Sequence, residues 1–113
     1  MLSLSEVLTY FMEWQNGHTH LRILLSTNDC RFSFDCKLSR FWDLGISFDL
    51  LADADSAAGF IDLNLAGYDF EFLDEAAANE RHEEFPAHPL YARGLKANRG
   101  PGETLFILEI ATG

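Results

Sequence analysis

Positive charge is what this chain has least of. Its 113 residues hold only 8 Lys and Arg against 18 Asp and Glu, a formal charge of −10 with a pI near 4.6. That balance excludes a nucleic-acid binder that works by neutralising phosphates, so no nucleic-acid partner is expected. Long apolar runs are also missing, and nothing approaches the ~20 residues needed to span a bilayer, so no membrane partner is expected either. The first residues carry Glu6 and Glu13 and no basic cluster, which argues against a secretory signal. Cysteine is limited to Cys30 and Cys36. In an extended strand these two stand on the order of 20 Å apart on one face, too far to pair or to share a metal, and they read as small core residues. The expected setting is soluble and cytoplasmic.

Hydrophobic residues make up 48% and aromatics 13%, ten of them Phe, enough for a core of one domain spanning 1–113. The acids are unevenly placed. Residues 43–84 hold twelve acids and one base, Arg81, a balance of −11, while the rest holds six acids and seven bases, a balance of +1. One block carries the whole excess.

Periodicity places the elements. Ser3 followed by Glu6 is a capping-box pattern, and Leu4, Val7, Leu8, Phe11 and Trp14 form an apolar stripe, predicting a helix over 4–15 that stops at Asn16-Gly17. With Asn28-Asp29 as a two-residue loop, 20–38 forms a hairpin in which Leu21 faces Cys36, Ile23 faces Phe34 and Leu25 faces Phe32. The same register sets Arg22 against Asp35, an opposite-charge pair that favours it. A third strand is expected over 44–50, antiparallel to the second, with Phe41 and Trp42 packing over the edge of the core.

Residues 60–73 alternate, break at Ala66-Gly67 and alternate again, the pattern of a hairpin with one wet face. Its register puts Asp62 opposite Glu71 and Asn64 opposite Asp69, like charges that should repel. A short polar helix capped by Asp74 is expected next, then a loop over 85–102 that holds all three prolines. A final strand over 104–111, apolar at consecutive positions, reads as central and buried on both faces. The fold class is α+β: an N-terminal helix packed on a mostly antiparallel sheet of about six strands built from hairpins.

Chemistry is sparse. Asp53 and Asp55 resemble the start of an EF-hand loop, but Ala57, Ala58 and Asn64 stand where ligands and the turn glycine belong, so calcium is rejected. His18 and His20 have a spacing that metal sites use but lack a third ligand nearby, so neither metal nor cofactor is expected. No nucleophile elbow is present, neither cysteine neighbours a histidine, and no catalytic residue is assigned. Arg93, Lys96 and Arg99 lie among three glycines and form a weak candidate for holding an anion, with neither phosphate-loop nor dinucleotide spacing.

The leading expectation is therefore a small acidic interaction module, immunity- or inhibitor-like in size and charge, rather than an enzyme. It would present Asp62, Asp69 and Glu71 to a basic protein partner, with Phe41 or Trp42 as hydrophobic anchor. An alternative is a small ligand-binding or catalytic domain with a pocket between the sheet and the 85–102 loop, lined by His82, His88, Arg93 and Arg99. A third reading is a homodimer through an exposed edge strand.

Overall fold

The computed structural model describes residues 1–43, 45–52, 56–80 and 90–111. Among these, the chain runs α1 (Leu4–Asn16), β1 (Leu21–Ser26), β2 (Arg31–Trp42), β3 (Gly45–Leu51), β4 (Ala57–Asn64), β5 (Asp69–Leu73), α2 (Glu75–Asn79), β6 (Tyr91–Arg99) and β7 (Glu103–Ile110). The strands form one antiparallel sheet in the order β4-β3-β2-β1-β7-β6-β5, so the α+β expectation holds with seven strands instead of six. No helix among the described residues is long and apolar enough to cross a membrane.

The capping box forms as read: the Glu6 N–H donates to Ser3 Oγ at 3.3 Å and the Ser3 N–H donates to Glu6 Oε1 at 3.1 Å. α1 then buries Val7, Phe11 and Trp14 against the sheet with Leu8 packed beside them, while Leu4, expected in the same stripe, is exposed in the first turn. The left-handed residue that turns the chain out of the helix is His18 (φ 48°), not Gly17, whose φ of −84° is ordinary. The β1–β2 register is the one derived from sequence, with Arg22 facing Asp35 and Leu21, Ile23 and Leu25 facing Cys36, Phe34 and Phe32. β3 returns beside β2 as expected. β7 lies between β1 and β6 and is buried on both faces, Leu105 and Ile107 in the main core, Phe106, Leu108 and Ile110 in a second cluster on the outer face.

Two expectations fail. β4 and β5 do not pair with each other; they are the two outermost strands of the sheet. β4 pairs with β3 and β5 with β6, so Asp62 faces Ser47, Glu71 faces Lys96 and Asp69 faces Asn98. The supposed repulsion of Asp62 and Glu71 across a hairpin does not exist. The second failure is the 85–102 loop, because 91–99 within it is β6; residues 85–89 and the histidines 82 and 88 lie outside the described residues, as does Arg81.

The first failure dictates the shape. Asn64 and Asp69 are joined by four residues, so their Cα atoms lie at most about 17 Å apart. Seven strands laid flat would separate the edge strands by six spacings of about 4.8 Å, roughly 29 Å. The sheet must therefore coil until its two edges approach at this end. α1 fills the concave side: Phe11 meets Phe41 of β2 edge-on at 5.8 Å and Phe70 of β5 edge-on at 6.3 Å. The Leu2 N–H donates to Phe70 O at 2.8 Å, taking a carbonyl on β5 that a paired β4 would have used. At the tight corner Gly67 takes φ 82°, a conformation glycine adopts without steric cost.

α2 is anchored from the side. Asp74 caps it by accepting the Ala77 N–H at 2.8 Å, Ala78 is buried, and Asn79 imitates a strand by donating to Tyr91 O at 2.8 Å while accepting from Tyr91 N at 2.9 Å.

Candidate partner-binding face

The ion pairs divide the chain in two. Arg22 pairs with Asp35, Arg93 with Glu13 at 2.7 Å and Glu109 at 3.3 Å, and Arg99 with Glu103 at 2.6 Å. All four acidic partners, Asp35, Glu13, Glu109 and Glu103, lie outside the acidic block 43–84. Inside that block, among the described residues, Asp43, Asp49, Asp62, Asp69, Glu71, Glu75 and Glu80 form no ion pair. Arg22, Arg93 and Arg99 pair outside the block, while Asp49 and Glu71 within it stand across the strand from Lys37 and Lys96 without forming an ion pair.

Pairing rows show where the selected residues fall. Arg40 of β2, Ser47 of β3 and Asp62 of β4 lie side by side, as do Trp42, Gly45 and Asn64, and then Lys37, Asp49 and Phe60. Residues opposite one another share a face, so these three rows tile the outer surface of β2–β4. Ile61 and Leu63, half-buried, point the other way into the core. Trp42 and Asp62 therefore come together, lining a cleft of about 310 Å³ with Leu63 and Asn64. Asp69 and Glu71 sit on β5 at the far end of the strand order, Glu71 beside Lys96. Of the four residues singled out from sequence, Trp42 and Asp62 line one cleft, while Asp69 and Glu71 lie on the other edge strand.

The β2–β4 patch is the one with exposed aromatics. Trp42 is 45% exposed and Phe60 70% exposed, both on the same outer surface as Asp62. Trp42 lies flat because Gly45 has no side chain: a Cβ there would meet the indole at 2.4 Å. Arg40 stands over the ring at 5.8 Å. Phe60 escaped the sequence reading, although its parity with Asp62 and Asn64 already put it on the wet face. Phe41, by contrast, packs into the core against Phe11.

The three bases of β6 do not converge. Arg93 lies over Tyr10 at 5.3 Å and Arg99 over Tyr68 at 4.5 Å, both on the helix side, whereas Lys96 lies over Phe106 on the outer face at 5.9 Å. Six strand residues separate Arg93 from Arg99, on the order of 20 Å. Arg99 also donates to the carbonyls of Asn64 and Ala66 at 3.3 and 3.2 Å, clamping the corner that brings the sheet edges together.

Burial, and then the hydrogen bond its hydroxyl donates to the Glu103 carboxylate, push the Tyr68 phenol up to about 12. The same bond is the main cause that holds Glu103 below the usual carboxylate range. A phenol whose folded pKa exceeds its unfolded value of about 10 stabilises fully below pH 10 and loses that contribution as pH rises toward 12. The melting temperature should therefore fall across this window, and Tyr68→Phe should flatten the slope. Some slope should persist from Tyr91, whose phenol burial also pushes up. An unchanged slope in Tyr68→Phe would remove Tyr68 as its source.

His20 Nε2 lies 3.9 Å from Asp35, and His18 is exposed in the turn. Among the described residues no group of three or more His, Cys, Asp or Glu side chains is placed to hold a metal ion. Cys36 is buried, and burial pushes its thiol far up, as for an inert core cysteine. Cys30 is not in the core: it closes the Thr27–Cys30 turn before β2 and is exposed. Comparison of the chain with protein-family models, with curated proteins and with solved structures gave no match.

Proposed function

We propose that the protein is a small cytoplasmic interaction module that engages a basic protein partner through the outer face of β2–β4. The observation that carries this reading is the absence of any ion pair on Asp43, Asp49 and Asp62 among the described residues, while Arg22, Arg93 and Arg99 pair with acids elsewhere. Uncompensated acids accelerate encounter with a cationic surface and penalise wrong partners. Trp42 and Phe60, exposed beside Asp62, supply the aromatic anchors on which binding energy concentrates. Asp69 and Glu71 lie on the other edge strand, Glu71 opposite Lys96, and contribute to long-range attraction.

The test is affinity capture with the wild-type chain and with Asp49→Asn/Asp62→Asn. A basic protein held by the wild type and released by added salt should be depleted about tenfold or more in the variant, since charge pairs at interfaces are worth 1.4 kcal/mol or more when well placed. Asp69→Asn/Glu71→Gln should cost less than about threefold and act on the association rate. If the first variant retained every basic protein that the wild type holds, the acidic face would be solvent coat alone.

A further inference from the structure

We propose that the cleft between Trp42 and β4 is a guanidinium site, taking the side chain of an arginine that the basic partner presents. This names the group recognised and rests on the acidic-face reading above.

The chain itself uses the same recognition twice. Arg93 lies over the ring of Tyr10 at 5.3 Å while pairing with Glu13 at 2.7 Å. Arg99 lies over the ring of Tyr68 at 4.5 Å while pairing with Glu103 at 2.6 Å. In each case an aromatic face and a carboxylate converge on one guanidinium. Trp42 and Asp62 are a third aromatic–carboxylate combination, open to solvent, and here the carboxylate has no cation among the described residues. Arg40 fills half of the role: it stands over the indole at 5.8 Å, within the ~6 Å reach of such contacts, but forms no ion pair with Asp62, so an incoming guanidinium competes with it for the ring alone.

Chemistry selects the guanidinium over an ammonium. At about 310 Å³ the cleft is at the small end of ligand sites, which run from about 300 to 1,000 Å³. A planar cation stacks on an indole while giving two parallel N–H groups to a carboxylate, and it is more weakly hydrated than a lysine head group. The indole is held flat over Gly45, so little ordering remains to be done on binding.

The experiment is an NMR titration of the full chain with N-acetyl-arginine N-methylamide, following the two indole N–H signals. Trp42 should shift and saturate in the millimolar range, while Trp14, buried and bonded to Glu109 at 2.9 Å, should stay still. The lysine analogue should bind at least about threefold more weakly, and the neutral citrulline analogue should give no saturable shift. Asp62→Asn should weaken arginine binding about fivefold or more, and Arg40→Ala, which removes a competing cation, should tighten it. No saturable Trp42 shift up to 100 mM, or an equal response to citrulline, overturns the site. Should arginine fail while Asp49→Asn/Asp62→Asn still loses its basic partner in the capture experiment, the guanidinium site falls and the acidic-face reading stands. Should capture fail while arginine binds in the cleft, the reverse holds.

Discussion

Phe11→Ala should destabilise the fold by about 3–5 kcal/mol, the usual cost of deleting a fully buried phenyl ring. Phe11 has no exposed surface and touches both Phe41 on β2 and Phe70 on β5. Those strands are four places apart in the sheet order, so the ring bridges across the concave side instead of between neighbours. Its removal leaves a cavity that the coiled sheet cannot close without shifting α1. Two edge-on aromatic contacts disappear as well, worth roughly 0.5–1.5 kcal/mol each beyond area burial. Total stability for a domain of this size is about 5–15 kcal/mol, so a large fraction is at stake. Urea unfolding followed by circular dichroism would measure it, with Met12→Ala on the exposed side of α1 as control, expected within about 0.5 kcal/mol of wild type. A loss below about 2 kcal/mol for Phe11→Ala would mean that α1 does not fill the coil.

That bridging role marks the boundary of what the sequence could reveal. Local and adjacent features were legible: the Ser3–Glu6 cap, the stripe Val7–Phe11–Trp14, the β1–β2 register fixed by Arg22 and Asp35, and the doubly buried β7. Each depends on residues close in sequence or on burial that shows directly as apolar pattern. The pairing of β4 with β5 misled because alternation identifies a half-buried strand without naming its neighbour. Both strands had other partners, and Leu2, just ahead of α1, takes the carbonyl of Phe70, a long-range event with no local signature. β6 was hidden because its outward positions carry Lys96 and Asn98 and it contains Gly94, so Tyr-Ala-Arg-Gly-Leu-Lys-Ala-Asn-Arg lacks clean alternation. Its pairing with β7 on one side and β5 on the other supplies what propensity does not. For the candidate site, composition pointed to the acidic block, but which acids share a face followed only from the pairing rows. These set Asp62 in the row next to that of Trp42 on one face and gave Asp69 and Glu71 to β5, the other edge strand.

Asp35→Ala should cost about 2–4 kcal/mol, more than any surface ion pair would. Arg22 is 7% exposed in the centre of the sheet, and its guanidinium pairs with Asp35 while donating to Ser33 Oγ at 3.1 Å. Removing the carboxylate takes the Asp35 contact from a largely buried cation, and the desolvation it no longer offsets, not the lost attraction, dominates. The lower bound of the range reflects Asp35, whose side chain is 35% exposed, so water can reach part of the vacated space. The decisive measurement is the double variant Arg22→Met/Asp35→Ala. Met fills the aliphatic path of the arginine without a charge, so the double variant should recover at least half of the single variant's loss. If the double variant were less stable than Asp35→Ala, Arg22 would be holding the sheet through its other contacts and the pair would not be the source of the cost. The same pair pins the register of the central hairpin, since a one-residue slip would carry Arg22 to the opposite face among Leu21, Ile23 and Cys36. Asp35→Ala should therefore also speed amide exchange across β1 and β2 ahead of β6 and β7, localising the damage to the strands whose alignment the pair fixes.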